Sequence, residues 1–518
     1  MNEDVEPRAN LPVQTDETMR YHVRPDDVVL KIREVSSPIR TPPLSTAQAL
    51  MRLGHVSNLR KLGSAGPLHA ATTADANQDA DPELRKFEAV FGRDALRVSE
   101  FVGEFFPQLR QATILSLARA QGVEQRDDSE EEPGKIVHEW RDPSDPVAQR
   151  ITAENGWAWP YYGAVDTTPL FICETLRSFD AEPSVLAAEV VRLNGQQCAL
   201  ADSLAWAVGW VCRRVDSDPD GLLTYQRMNP NGIENQTWRD SWDSFSHTDG
   251  SLPNWGRPVA ALDVQVLTYE ALTAAVRTAH LGILGPQHTA EELTERADRI
   301  RDSMFRRFWV DDGEDGFFAA ALDFSEDGVR RALRTKISDI GQVLASTLLM
   351  GDSPEIRECR ENVVRCVFSP GLLCSAGIRS LHADEARYWP GGYHTGNSWL
   401  WQTMQIADGL ERHNLYFLAQ ELRRRCWRVY IRTGLLPEFA RGADDRGILN
   451  DRIIDVWQSG DQRRNRIEQP PQEVQAWTAA SMYAAKHKFA QVPRLLPPSP
   501  SVFEEEIVRT ISTVGGAR

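Results

Sequence analysis

Apolar residues recur at spacings of three and four through ten segments of this chain, at 94–120, 166–179, 184–215, 261–280, 290–308, 337–349, 355–368, 396–413, 415–432 and 474–487. That period lays one apolar stripe along an α-helix, and strand-like alternation is rare here. Several of these segments place an acid in the first turn and Arg or His near the last, the polarity that the helix dipole favours. The connections alternate in character. Those after one helix of each pair are short, whereas 130–163, 216–258, 381–395 and 435–472 are long and hold Trp, Tyr, Asp and His residues. A toroid of packed hairpins with its decorated loops on one face produces that asymmetry, and active sites gather on loops that a rigid scaffold positions. No repeat of fixed period is visible. The chain therefore reads as all-α.

At 518 residues the chain exceeds an ordinary single core, but a ring of helix pairs grows without thickening its core. Hydrophobic content of 41% and charged content of 25% are those of a soluble globular enzyme. A formal net charge of −16 argues against nucleic acid and against an anionic membrane surface, both of which call for concentrated positive charge. No apolar run approaches the roughly 20 residues needed to span a bilayer. The acidic start, MNEDVEPRAN, lacks the basic and apolar regions of a signal peptide. Seven scattered cysteines, never in CxxC spacing, read as buried thiols of a cytoplasmic protein.

Residues 1–85 are rich in Pro, Thr, Ala and Asp and read as a partly irregular N-terminal extension, with a short strand at 28–32 and a helix at 45–62 inside it. The helical domain is expected over 86–493, followed by a C-terminal tail at 494–518.

Four segments carry candidate chemistry. Asn235-Gln236-Thr237-Trp238-Arg239-Asp240-Ser241-Trp242-Asp243-Ser244 crowds two carboxylates, two indoles and two amides together. Indoles offer flat apolar faces to the C–H faces of a sugar ring, and a carboxyl group held beside them can stay protonated at neutral pH. Far downstream, Leu435-Leu436-Pro437-Glu438-Phe439 presents a second acid behind a proline that stiffens the backbone. Two carboxylates in different roles are what glycosidic cleavage requires. Asp240 is expected to be the less solvated of the two. Read alone, either Asp240 or Asp243 is an ordinary helix cap, as is Asp94 of Phe91-Gly92-Arg93-Asp94; as a pair, Arg93 and Asp94 suit vicinal hydroxyls. The fourth segment joins Glu132-Pro133-Gly134-Lys135 to the aromatic run Trp157-Ala158-Trp159-Pro160-Tyr161-Tyr162 and to Asp166. Its rings read mainly as a satellite core, with at least one stacking on sugar. A further aromatic loop holds Tyr388, Trp389, Tyr393, His394 and Trp399. Asp216-Ser217-Asp218-Pro219-Asp220-Gly221 lacks the later acid of a calcium loop and reads as a polar turn. No HExxH, Walker-type loop, dinucleotide fingerprint or GxSxG elbow is present, and no metal-ligand spacing.

The motifs FGRD, EEPGKIVHE, YYGAVDTTPLF, NQTWRDSWDS, YHTGNSW and LLPEF, in this order over about 87–493, resemble those of the glycogen-debranching amylo-α-1,6-glucosidases, whose wider relatives are glucoamylase, trehalase and processing α-glucosidase I. The resemblance implies an (α/α)6 barrel and an inverting glycosidase that needs no cofactor or metal and acts on a small carbohydrate. It implies Asp240 as general acid, with Asp243 the runner-up, and Glu438 as general base. Arg93 and Asp94 would bind the terminal sugar, and Tyr162, Asp166, Gln236, Trp238, Trp242, Asp243, His394 and Trp399 would line its pocket. The family more often has Lys where this chain has Arg239. The transferase domain of full debranching enzymes has no room here, and the N-terminal β-sandwich of bacterial relatives is missing or reduced. A terminal α-linked glucosyl residue on an oligosaccharide or small glucoside, such as a glucosylglycerate, is therefore expected as substrate. Debranching of glycogen or dextrins, phosphorolysis, and a non-catalytic carbohydrate-binding barrel are the alternatives.

Overall fold

A computed structural model describes residues 45–56, 69–72 and 87–489, apart from 312–315, 446, 451–452, 460–461 and 469. The strand expected at 28–32 and the tail at 494–518 lie outside the described residues. Thirteen helices run along the described chain: α1 (Thr46–Val56), α2 (Gly92–Val102), α3 (Pro107–Arg119), α4 (Pro146–Asn155), α5 (Thr167–Ala181), α6 (Leu200–Ser217), α7 (Leu262–His280), α8 (Ala290–Ser303), α9 (Asp339–Gln342), α10 (Pro354–Val367), α11 (Leu400–Arg412), α12 (Tyr416–Thr433) and α13 (Ala476–Phe489).

Six of them make a closed inner ring, in which α2, α5, α7, α9, α11 and α13 each pack on the next and α13 returns to α2. The outer helices α3, α6, α8, α10 and α12 each pack on the inner helix before them, and α1 packs on α13 to complete the sixth pair. The architecture is an (α/α)6 barrel. α1 lies within the stretch that composition sets apart as an extension, and it supplies this outer helix.

The sequence separates the two rings. α5 is buried at every position from 167 to 176, as a helix covered on all faces must be. α8 carries the charged sequence AEELTERADRIRDS and buries only the stripe Ala290, Leu293, Ala297 and Ile300 with Ser303, and a capping box of Thr289 and Glu292 starts it. Two expected helices are divided. The segment 94–120 breaks at 103–106, where Pro107 opens a new helix. The segment 184–215 begins as a 3-10 turn and a two-strand hairpin before α6. Over 337–349 the apolar period persists, but the backbone forms only the single α-turn of α9 and two 3-10 turns.

Short strand pairs brace the loops that precede the inner helices. Val90–Phe91 pairs with Glu139–Trp140, Ala260–Ala261 joins the hairpin Ala321–Phe324/Arg330–Leu333, and Ile453–Ser459 pairs with Gln462–Glu468. Ala71–Thr72 pairs with Val474–Gln475, so the chain on either side of the seam between α1 and α13 is stitched twice. All seven cysteines are free. No helix of the described residues is long and apolar enough to cross a membrane.

Leu53 of α1 is fully buried in the cluster that includes Val98, Ala480 and Trp477. We expect Leu53→Ala to lower stability by about 2–5 kcal/mol, read as a shift of the urea midpoint at constant slope. A cost below about 0.5 kcal/mol would show that the seam does not need α1.

Candidate active site

The first turns of the inner helices meet around the barrel axis. Arg93 of α2 donates through Nε to Asp166, which precedes α5, at 2.6 Å. Asp263 of α7 lies in the field of both Asp166 and Asp339. Gln402 of α11 donates to Asp339 of α9 at 3.0 Å, and Gln475, which precedes α13, donates to Asp94 of α2 at 3.1 Å. Helix N-termini carry partial positive charge, which favours carboxylates at this face.

The segment 235–244 crosses that face as an irregular loop, so neither Asp240 nor Asp243 caps a helix. Asn235 holds the loop closed by donating to the Arg239 carbonyl and to Ser244 Oγ. Arg239, fully buried, pairs with Asp339 at 3.1 Å and donates to the carbonyls of Ser380 and His394 at 3.0 and 2.7 Å. Trp238 points inward, donating to Asp339 and packing edge-on against His394, Trp399 and Trp401. With Arg239 and Trp238 both turned in, Asp240 faces the other way.

Asp240 accepts from Arg93 Nη1 at 3.4 Å. Burial raises its carboxyl to about 6 against the opposing pull of Arg93, with Asp166 adding to the rise. Glu438 stands in the loop after α12, which ends at Gly434 in the left-handed conformation (φ 68°). Its carboxylate accepts from the Tyr393 hydroxyl and from the Gln472 amide. Burial and then the charges of Glu438, Asp240 and Asp94 push the Tyr393 hydroxyl well up, so all three acids lie within electrostatic range of one phenol. His394, next in sequence, shares Ser241 Oγ at 2.8 Å. Burial, with Arg239 and Arg93 nearby, holds its imidazole neutral. Asp94 is likewise pushed well up, by burial first, against Arg93, with Asp240 and Glu438 adding to it.

The expectation about solvation is reversed. Glu438 is only 4% exposed, whereas the Asp240 side chain is 32% exposed. The reason is local: Pro437 is fixed under Thr478 and Gln472 closes over Glu438, while Asp240 sits on the outward side of its loop. Arg93 and Asp94 are turned to different partners, the guanidinium to Asp166 and Asp240 and the Asp94 carboxyl to Gln475. Tyr162 packs in the core, its hydroxyl bonded to the Ala120 carbonyl at 2.9 Å. Trp157 stacks on Tyr161 at 3.8 Å, in line with a satellite core. Trp238 and Trp399 form the floor beneath the site, and His394 stacks on Trp399 at 4.9 Å. Gln236 donates to Glu130, a buried side chain that also accepts from the amides of Met228 and Asn229. Trp242 and Asp243 are partly exposed beside Asp240, with the Arg387 guanidinium 5.5 Å from the Trp242 ring centre. Asp218 and Asp220 bind Arg330, which accounts for the polar turn. Among the described residues no cluster of three His, Cys, Asp or Glu side chains is arranged to hold a metal.

A family model described as the mannosylglycerate hydrolase MGH1-like glycoside hydrolase domain matches residues 190–435. The chain carries a glycoside hydrolase domain. The match takes in Asp240, Tyr393 and His394 and stops three residues short of Glu438. Among solved structures, the glycosidase is similar to the GH63 mannosylglycerate hydrolase from Thermus thermophilus in complex with Tris, with a TM-score of 0.52 and 12% identity, over 85% of this chain and 99% of that one. That likeness concerns the fold. No curated protein matches the sequence.

Tyr393, Glu130, Asp339 and Gln475 complete the site and were not singled out for it by sequence. Tyr393 had a signal in its aromatic loop, whereas the other three are defined only by partners distant in the chain.

Arg239→Lys keeps the charge but cannot reach Asp339 and the carbonyls of Ser380 and His394 at once. We expect it to lower stability by about 3–5 kcal/mol, measured by denaturant unfolding. A stability within about 0.5 kcal/mol of the parent would remove Arg239 from this structural role.

Proposed function

We propose that this glycosidase is an inverting hydrolase of a small α-linked hexoside, with Asp240 as general acid and Glu438 as general base. One observation carries the reading: two carboxylates from loops 198 positions apart (438 − 240) both act on one phenol, Tyr393, which donates to Glu438 and feels the charge of Asp240. In the reaction, protonated Asp240 donates to the glycosidic oxygen. Ionised Glu438 takes a proton from a water that attacks the opposite face of the sugar, so that the anomeric configuration inverts. The outward, partly open position of Asp240 suits a group that must meet the leaving oxygen. The enclosed position of Glu438 suits a base that handles one water. Arg93 lowers the cost of an ionised Asp240 after proton transfer, and Asp94, Asp166 and Gln236 supply hydroxyl partners for the terminal sugar.

The mannosylglycerate hydrolases that the chain is similar to suggest a hexosylglycerate, with glucose or mannose as the sugar and an anionic aglycone. Arg387 supports this, since it lies over Trp242 beside the acid and its Nη2 has no hydrogen-bond partner. A debranching role on glycogen rests on motif resemblance alone.

Proton NMR of hydrolysis over a panel of α-linked glucosides, mannosides and their glycerate conjugates tests the reading. The β-anomer should appear first, and glycerate conjugates should be the better substrates. Initial release of the α-anomer would overturn inversion. Asp240→Asn and Glu438→Gln should each reduce kcat by about 10²–10⁴-fold without loss of fold; near-parental turnover in either variant would remove that residue from its role.

The pH dependence follows from the sign of the Asp240 shift. Its carboxyl is protonated below about 6 and loses its proton above, so kcat/KM should fall as pH rises through about 6. A profile that stays flat up to pH of about 8 would mean that Asp240 is not the proton donor.

A further inference from the structure

A cationic hollow lies apart from the carboxylates. A cavity of about 400 Å³ sits beside the C-terminal end of α6 and is lined by Arg214, Arg227 and Arg257, with Thr224, Asp218 and Phe324 among its walls. None of Asp240, Glu438, Arg93, Asp94 or Tyr393 lines it. Three arginines from separate stretches of a chain with net charge −16 line it together. Their existing partners leave capacity. Arg257 makes one long hydrogen bond, to the Glu326 carbonyl at 3.4 Å, and no ion pair with a described residue. Arg214 donates Nη2 to the Thr224 carbonyl and approaches Glu132 only to 3.9 Å, and its buried Nε has no partner. Arg227 meets Glu234 at 3.3 Å and the Gly232 carbonyl. The one acid on the wall, Asp218, is already neutralised by Arg330.

We propose that this hollow binds a phosphate monoester of sugar size, whose occupancy is felt at the Asp240 loop. Guanidinium groups match phosphate oxygens in fork geometry, and three of them suit a dianion better than a single carboxylate. The volume exceeds that of a bare phosphate, and the Thr224, Gln226 and Phe324 surfaces offer polar and flat apolar contacts for the attached sugar. The link inward is Glu130. Its Oε1 accepts from the amides of Met228, on the cavity wall, and Asn229, both at 2.8 Å, and its Oε2 accepts from Gln236 at 3.1 Å, four residues before Asp240. Glu130 holds φ at 58°, a left-handed conformation uncommon outside glycine, as expected of a residue fixed by its surroundings. Movement of the cavity wall is thereby passed to the catalytic loop.

Calorimetry on the full chain at constant ionic strength tests the site without reference to turnover, so its failure is separable from failure of the hydrolase reading. Glucose 6-phosphate should bind with a Kd of about 1 mM or tighter, inorganic phosphate more weakly, and glucose not measurably at this site. The double variant Arg227→Gln/Arg257→Gln should weaken glucose 6-phosphate binding by about tenfold or more with an unchanged melting temperature. Equal binding by the double variant, or no preference for glucose 6-phosphate over glucose in the parent, overturns the site. For the link, saturating glucose 6-phosphate should change KM or kcat of the parent, and Glu130→Gln should bind it without that response. Unchanged kinetics in the parent, or the same response in Glu130→Gln, overturns the link.

Discussion

The guanidinium of Arg239 is the tie on which the site depends. Fully buried, it holds Asp339 of α9 and the carbonyls of Ser380 and His394 at either end of one long connection, while its own backbone forms part of the loop that presents Asp240. A charge so deep is tolerable only because a carboxylate and several carbonyls share it. In turn it fixes which way its neighbours point. Trp238 packs inward with it onto the same Asp339, and Asp240, next along the irregular loop, meets Arg93 instead.

Around this tie the inner ring supplies a field. Asp94, Asp166, Asp263 and Asp339 stand at or just before the first turn of four different inner helices. The backbone dipoles stabilise negative charge there, but burial and mutual repulsion oppose it. The outcome differs by position. Asp94 and Asp263 are pushed well up by burial, whereas Asp166 is bound by the Arg93 guanidinium. Two arginines thus serve a cluster of more than two acids, and burial raises the carboxyls of Asp94, Asp263 and Asp339 above their ordinary range. Asp240 belongs to this economy of charge, which places its proton within reach of physiological pH.

Much of this was legible in the sequence. Helical periodicity located both rings, and the contrast between short and long connections marked the loops that hold Asp240, Tyr393 and Glu438. The loop 235–244 and Glu438 stood out because indoles and acids rarely crowd together without a use. What escaped was pairing across the chain. That Arg93 answers to Asp166 and Asp240 rather than to Asp94, or that Gln475 holds Asp94 across 381 positions, is decided by which helices become neighbours. Period alone also misjudged 337–349, because a strong apolar stripe does not reveal that the backbone there leaves the α-form after one turn. Relative solvation of the two acids depended on the lids formed by Gln472 and Thr478, which no local pattern reports.

The pairing of α1 with α13 gives the barrel a seam between segments that are some of the most distant along the described chain. During synthesis five of the six hairpins can assemble while the last inner helix is still being made, and the ring stays open until it arrives. Glu438 hangs from that last segment through Leu436, Pro437 and Gln472. Closure of the ring and arrival of Glu438 are therefore one event, and a molecule whose seam has sprung is also one in which Glu438 has parted from Asp240.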